Sequence, residues 1–187
     1  QLVDLRSAAV HDDRLHADVF IIADAVNWKV GEPSLTATLR GSVDAVVTVS
    51  TLQTGLHSGQ FGGVVPDALT ALCRLLATLH DEAGNVAIEG LKTSPEPTVE
   101  YDEDRLREET GILEGVEWIG DGSAASRMWA KPSASVLAID TTRLKDASNT
   151  LIPSAKAKVS VRIAPGDDPV SATKARSLWP SSRCWRK

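Results

Sequence analysis

Residues 41–79 read GSVDAVVTVSTLQTGLHSGQFGGVVPDALTALCRLLATL, and the predicted fold rests on this segment. Residues 43–49 are rich in valine, and β-branched residues favour strands. After Pro66 the apolar residues recur at helical spacing, at Leu69, Leu72, Cys73, Leu76 and Leu79. The sequence therefore predicts a strand followed by an amphipathic helix, with Cys73 on the apolar side of that helix.

A glycine-rich loop joins the predicted strand to the predicted helix, and His57 lies at its centre. The imidazole is flanked by Gly55, Gly59, Gly62 and Gly63. Glycine permits positive φ angles and close approach of the backbone. We therefore expect the loop to present His57. The alternative is a loop histidine that hydrogen-bonds only its own backbone.

The composition is that of a globular protein and argues against several functions. The chain has 187 residues, of which 42% are hydrophobic and 24% charged. A net charge of -5, from 20 basic and 25 acidic residues, gives no general basic surface for nucleic acid. No apolar run approaches the roughly 18 residues of a membrane span, and no signal peptide is recognisable. We expect a cytoplasmic protein without nucleic-acid or membrane partners.

A candidate metal ligand lies near the amino terminus. The apolar run at residues 19–23 predicts a strand buried on both faces, and Asp24 follows it directly. A carboxylate at the carboxyl end of a buried strand is a common ligand position in α/β proteins. The alternative is that Asp24 only caps the following turn.

The second half of the chain predicts one more helix and two more strands. Residues 93–109 combine two prolines with an acidic run, which indicates a connector and a solvated helix rather than a metal-binding loop. Residues 135–139 and 159–163 predict strands. The order of elements favours an α+β sandwich with helices on one face of an antiparallel sheet.

Several short motifs in this order resemble the M20 metallopeptidases, a superfamily of dipeptidases, aminoacylases and carboxypeptidases. The motifs are Ala23-Asp24-Ala25, Leu39-Arg40-Gly41, His57-Ser58-Gly59 with Gly62-Gly63 and Pro66, Asn149-Thr150-Leu151-Ile152-Pro153, and Ser160-Val161-Arg162. The resemblance covers residues 18–168 and favours the dipeptidase branch. It implies a zinc-dependent hydrolase of dipeptides or N-acyl amino acids.

The resemblance also implies a division of the chain. Residues 40–168 would form the ferredoxin-like lid (dimerisation) domain, with two helices on one face of an antiparallel sheet. Residues 1–39 would be a fragment of the α/β catalytic domain. Residues 169–187 do not resemble the continuation of the family, and we expect a truncated or non-native tail there. The lid would carry the contact of a homodimer.

The resemblance assigns roles to individual residues. Asp24 would be a ligand of one of two zinc ions; Glu32, in Gly31-Glu32-Pro33, resembles a ligand of other branches and is the second choice. His57 would reach across the dimer and donate a hydrogen bond to the oxyanion in the partner's site. Arg162 would bind the carboxylate of the substrate. Asn149, or Thr150 if the turn aligns one residue later, would bind the substrate backbone.

Alternatives remain for these residues and for the whole chain. Arg162 could be an outward-facing charge and Asn149 a turn former. A dinuclear zinc site needs several histidines and carboxylates, and of the family's set only Asp24 is present. We therefore expect this chain alone to be inactive. The competing hypothesis is a non-catalytic α+β dimerisation or binding module.

Overall fold

The computed structural model describes residues 28–36 and 38–172. The chain divides into two compact units, Gln1–Leu39 and Arg40–Lys187. The predicted strand at residues 19–23, Asp24, and the end of the predicted tail lie outside the described residues. The assignment of the first unit to a catalytic domain stays a prediction. In that unit the described backbone makes a short antiparallel bridge between Lys29 and Glu32.

The second unit is an α+β domain, as the sequence predicted. Its elements are β1 (Gly41–Ser50), β2 (Leu56–His57), α1 (Ser58–Phe61), α2 (Ala68–Ala77), α3 (Glu103–Thr110), β3 (Ser133–Asp140), β4 (Thr150–Leu151) and β5 (Ser154–Ile163). A π-helical turn at Ser126–Ala130 precedes β3, and a 3₁₀ turn at Leu144–Asp146 follows it. Within residues 40–172 the strands form two antiparallel sheets, one with the order β1-β5-β3 and one that pairs β2 with β4.

The central strand β5 separates the core from a polar surface. Its buried residues are Ala155, Ala157, Val159, Val161 and Ile163, and they alternate with exposed or half-exposed polar residues. This alternation is expected because successive side chains of a strand point to opposite faces. The apolar face of β1 and β5 packs against α2. The opposite face of the sheet is therefore the polar one.

Helix α2 starts and packs differently from the sequence prediction in two respects. It begins at Ala68 rather than Pro66, because Asp67 acts as the N-cap. Its buried face consists of Ala68, Ala71, Leu72, Leu75 and Leu76. The prediction that Cys73 lies on the apolar side is wrong, since its side chain is exposed. Adjacent helical residues differ by about 100° around the axis, which turns Cys73 away from the face centred near Leu72.

Asp67 also connects α2 to the segment that follows β4. Its Oδ1 accepts hydrogen bonds from the backbone N–H of Thr70 at 2.9 Å and from the Thr70 hydroxyl at 3.1 Å. Its Oδ2 accepts from the backbone N–H of Ile152 at 2.6 Å. The backbone N–H of Ala68 donates in turn to the carbonyl of Ile152 at 3.0 Å. The Asp67 carboxylate therefore caps α2 and also holds the segment between β4 and β5 in place.

The acid-rich segment forms the solvated helix that the sequence predicted. Helix α3 starts at the N-cap Asp102, whose side chain accepts from the backbone N–H of Arg105, and its one buried residue is Leu106. A helical turn at residues 169–172 follows β5. Ala172 is buried in the core beneath the sheet, so the packed part of the second unit continues to this residue.

No helix within the described ranges combines the length and the apolar character needed to cross a membrane.

The buried face of α2 can be tested by a matched pair of neighbouring substitutions. Leu72→Ala should lower the free energy of unfolding by about 2–5 kcal/mol, because Leu72 is fully buried and its removal leaves a cavity. Cys73→Ala, on the exposed side, should change it by less than about 0.5 kcal/mol. Urea unfolding followed by circular dichroism measures both. Equal losses would show that α2 packs through another face.

The contact of Asp67 with Ile152 can be tested separately from its role as a helix cap. Asp102→Ala removes a cap alone and should cost about 1 kcal/mol. Asp67→Ala should cost at least about 1 kcal/mol more, because the N–H of Ile152 also loses its acceptor. Hydrogen exchange at the Ile152 amide should accelerate in Asp67→Ala and not in Asp102→Ala. Unchanged exchange would show that the contact with Ile152 contributes nothing.

Candidate functional site

His57 is held by its own loop in a defined orientation. It ends β2 and serves as the N-cap of α1, with its Nδ1 accepting a hydrogen bond from the backbone N–H of Gly59 at 3.2 Å. This is the local backbone contact that the alternative interpretation proposed. It engages Nδ1 only, so the neutral ring carries its proton on Nε2. Because the residue is exposed, Nε2 is a hydrogen-bond donor available at the surface.

The glycines around His57 allow two close contacts. A Cβ atom at Gly59 would lie 3.0 Å from Cε1 and 3.2 Å from Nδ1 of His57, so a larger residue would displace the ring. A Cβ atom at Gly55 would lie 2.7 Å from Cγ2 of Thr150. The loop therefore packs against both its own histidine and the facing strand.

The structure brings His57 together with the predicted backbone-binding residues. In the small sheet His57 is the direct register partner of Thr150. The backbone N–H of Ser58 donates to the carbonyl of Asn149 at 2.8 Å. Both Asn149 and Thr150 are exposed, and the hydroxyl of Thr150 lies 2.8 Å from that of Ser148. The three candidates thus form one surface, which we call the His57 surface (His57, Asn149 and Thr150).

Asp67 belongs to this arrangement although sequence reasoning did not single it out. Its carboxylate positions Ile152, one residue beyond β4, which pairs with the strand that ends at His57. The available signal was an aspartate directly before a helical apolar pattern, a typical N-cap. Ile152 lies 85 residues after Asp67 in the sequence. No local sequence pattern indicates a contact between two residues so far apart.

Arg162 lies at the other end of β5 from the His57 surface. Ser154 at the start of β5 pairs with Ser50, whereas Arg162 pairs with Ser42 near the start of β1. A strand rise of about 3.4 Å per residue places Arg162 roughly 27 Å from Ser154. The His57 surface is joined to the Ser154 end through β4. The structure therefore does not bring Arg162 and His57 of one chain together.

Asp44 lies on the polar face near Arg162, whose charge contributes to lowering the pKa of the Asp44 carboxyl, and it also has closer partners. Lys158 Nζ lies 3.2 Å from Asp44 Oδ2, and the hydroxyl of Ser160 donates to Oδ1 at 2.6 Å. These hydrogen bonds, from Ser160 first and then Lys158, hold the pKa of the Asp44 carboxyl below its usual value. Asp44 is thus an ionised, hydrogen-bonded group of the sheet face.

The described residues do not form a metal site. Within residues 28–36 and 38–172, no group of three or more His, Cys, Asp or Glu side chains is placed to hold a metal ion. Glu32, the second-choice ligand, is exposed and lies 3.5 Å from Lys29 Nζ. Asp24, the first choice, falls outside the described residues. No metal-dependent step can therefore be assigned to the residues that the structure describes.

A groove of about 420 Å³ borders the first half of β3. Its polar lining includes His80, Asn85, Asp121, Arg127, Lys131 and Ser133. None of the predicted site residues that the structure describes lines this groove. The candidate site is therefore built from surface groups at the two ends of β5 rather than from this concavity.

Comparisons with known proteins give consistent results. The family model described as the M20 peptidase dimerisation domain matches residues 37–176. A cysteinylglycine-S-conjugate dipeptidase of Corynebacterium striatum is 37% identical over 150 residues, which cover 79% of this chain and 33% of that protein. A Beta-Ala-His dipeptidase of Mus musculus is 27% identical over 162 residues, covering 81% and 33%. The chain thus spans about a third of the length of these relatives.

Solved structures share the fold. The dipeptidase Dug1p of Saccharomyces cerevisiae superposes with a TM-score of 0.61 at 24% identity, covering 76% of this chain and 32% of that chain. The M20 metallo-carboxypeptidase Sso-CP2 of Sulfolobus solfataricus gives a TM-score of 0.67 at 19% identity, covering 83% and 43%. From the extent of the match to the family model, the chain belongs to the M20 peptidase dimerisation domain family.

Proposed function

We propose that this chain is the substrate-binding lid of a metallodipeptidase that hydrolyses dipeptides or N-acyl amino acids. The family and the dipeptidase relatives support this class of activity. In the proposed enzyme the chain binds two parts of the substrate with different surfaces. The His57 surface serves the peptide bond, and Arg162 serves the terminal carboxylate. The cytoplasmic location stays a prediction of the sequence.

The orientation of the His57 ring is the observation that carries the proposal. With Nδ1 accepting from Gly59, Nε2 is the donor, and the residue is exposed at the end of β2. Hydrolysis of an amide builds negative charge on the carbonyl oxygen, and a fixed donor aimed at that oxygen lowers the barrier. A donor fixed before the substrate arrives needs no reorganisation during the reaction. In this proposal His57 is the oxyanion donor, and Asn149 or Thr150 binds the substrate backbone beside it.

The separation along β5 supports a homodimer in which each site uses two lids. A dipeptide spans about 7 Å when extended, whereas the two ends of β5 are roughly 27 Å apart. His57 and Arg162 of the same chain are therefore too far apart to share one substrate. A site that uses both groups needs His57 from one subunit and Arg162 from the other.

Zinc is the metal of the proposed enzyme, in a dinuclear site with Asp24 as one ligand. Such a site would supply Lewis-acid polarisation of the substrate carbonyl and hydroxide at neutral pH. The described residues do not fit such a site by themselves. The role proposed for the described part is therefore confined to binding the substrate and donating a hydrogen bond.

The role of His57 is tested by substitution in the complete enzyme that the proposal implies. His57→Ala should lower kcat by about a hundredfold or more, as the loss of one oxyanion donor does, while the zinc content stays unchanged. His80→Ala is the matched control, because His80 lies in a bridge with Val86 and should leave kcat unchanged. Steady-state kinetics and elemental analysis measure the two effects. An unchanged kcat in His57→Ala would remove His57 from the mechanism.

The two-subunit arrangement predicts recovery of activity in mixed dimers. His57→Ala and Asp24→Ala subunits should each be inactive alone. On mixing, one site of each heterodimer combines intact metal ligands with the partner's intact His57, so activity should reappear. If the subunits exchange, shown by mass spectrometry, and no activity returns, His57 serves its own subunit. If the complete wild-type protein that contains this chain binds peptides and shows no hydrolysis under any metal condition, the chain is the non-catalytic binding module instead.

A further inference from the structure

A short stretch of backbone, which we call the 149–153 segment, lies between the loop that carries His57 and helix α2. Its Thr150 is the register partner of His57 in the small sheet. The carbonyl of Asn149 accepts a hydrogen bond from the backbone N–H of Ser58 at 2.8 Å. Both contacts are made by the residue that carries the imidazole or by its direct neighbour, so a displacement of the segment also displaces His57.

The pairing of β2 with β4 is too short to hold this segment alone. Each of the two strands contains two residues, and even an isolated two-stranded hairpin is marginally stable in water. Contacts outside the small sheet must therefore stabilise β4. One of them is the hydrogen bond that the backbone N–H of Thr51 donates to the carbonyl of Pro153 at 3.0 Å. It fixes the end of the segment that leads into β5.

Asp67 supplies the anchor directly beside β4. Its Oδ2 accepts the N–H of Ile152 at 2.6 Å, and the N–H of Ala68 donates to the carbonyl of Ile152 at 3.0 Å. Ile152 is thus bound through both backbone groups to the start of α2, whose buried face packs against the large sheet. Hydrogen bonds to an ionised carboxylate are roughly twice as strong as those between neutral groups. Because this anchor is a side chain, a substitution can remove it and leave the backbone hydrogen bonds in place.

We propose that Asp67 is a positioning residue for catalysis, which holds the 149–153 segment so that Nε2 of His57 points at the reacting carbonyl. This inference rests on the proposed oxyanion role of His57 and assigns to Asp67 an effect on the transition state beyond the capping of α2. Both oxygens of Asp67 are engaged by donors of the protein, so it acts through His57 rather than on the substrate. A misplacement of about 1 Å can cost a hundredfold in rate.

Two substitutions remove the contact with Ile152 and retain the helix cap. Asp67→Ser leaves one oxygen in place of two, and serine is a good N-cap residue. Asp67→Asn also caps the helix, but it replaces one acceptor oxygen by an N–H donor. Asp102→Asn is the matched control, because Asp102 caps α3 through the same kind of contact with Arg105. Circular dichroism checks that each variant is folded, and if Asp67→Asn fails to fold, Asp67→Ser carries the test.

Hydrogen exchange tests the structural step in the complete protein that contains this chain. In both Asp67 variants the amides of Ile152 and Ser58 should exchange about tenfold faster or more, because the segment that binds each of them is released. Asp102→Asn should leave both amides unchanged. Mass spectrometry with fragmentation of the labelled protein measures the rates. Faster exchange at Ile152 with unchanged exchange at Ser58 means that the displacement does not reach His57, and the inference is then wrong.

Steady-state kinetics with a dipeptide substrate tests the catalytic step. Each Asp67 variant should lower kcat about tenfold and change KM much less, because the direction of the donor matters most in the transition state. In the His57→Ala background the same substitutions should lower kcat no further, since the donor is already absent. A role in stability alone lowers kcat by the same factor in both backgrounds. Asp102→Asn should leave kcat unchanged.

The outcomes separate this inference from the proposed function. If His57→Ala lowers kcat and the Asp67 variants do not, Asp67 is a structural cap and the inference is wrong, while the proposed role of His57 stands. If the Asp67 variants lower kcat equally with and without His57, Asp67 acts independently of the imidazole and the inference is again wrong. If His57→Ala leaves kcat unchanged, the proposed role of His57 is wrong and the positioning role falls with it.

Discussion

The two-residue period of β5 is the constraint on which the rest of the domain depends. Its alanines and valines contact α2, and its lysines and Arg162 lie on the other face. A shift of one residue against either neighbouring strand would exchange these two sets. Burying several cations without partners costs far more than any local contact could offset. The packing of the core therefore also fixes the position of Arg162, so the polar face is a consequence of the apolar one.

Different contacts hold the polar side chains near the two ends of β5. At the amino end the chain is tied by backbone and carboxylate contacts: β4 pairs with β2, and Asp67 holds Ile152 against the start of α2. At the carboxyl end the sheet itself provides the geometry, because three strands place Ser42, Arg162 and Ser133 in one row. The first arrangement orients a single ring on a loop. The second holds cations on a rigid surface, which suits recognition of a fixed charge.

Sequence reasoning succeeded where the pattern was local and periodic. Valine-rich strands, the apolar spacing of α2 and the acidic face of α3 each follow from a few neighbouring residues. It failed for Cys73 because a residue adjacent to a buried leucine can satisfy a loose helical pattern while pointing to solvent. It did not predict the contacts of Asp67 with Ile152 and of Arg40 with Ser133, because the partners are distant in sequence. Such contacts depend on strand order and register, which no single segment encodes.

The distribution of satisfied and unsatisfied polar groups separates structural residues from candidate site residues. Asp67 uses both carboxylate oxygens, and Asp44 has a lysine and a hydroxyl, so each is accounted for by the fold. His57 uses one nitrogen and leaves its donor nitrogen exposed. In the described part of the chain no carboxylate forms a direct ion pair with Arg40 or Arg162, although the charge of Arg162 contributes to lowering the pKa of the Asp44 carboxyl. Natural sequences satisfy local rules except where function requires otherwise. The exposed donor of His57 lies near one end of β5, and the two arginines lie near the other end. This placement is the strongest reason to regard the two groups as parts of binding sites.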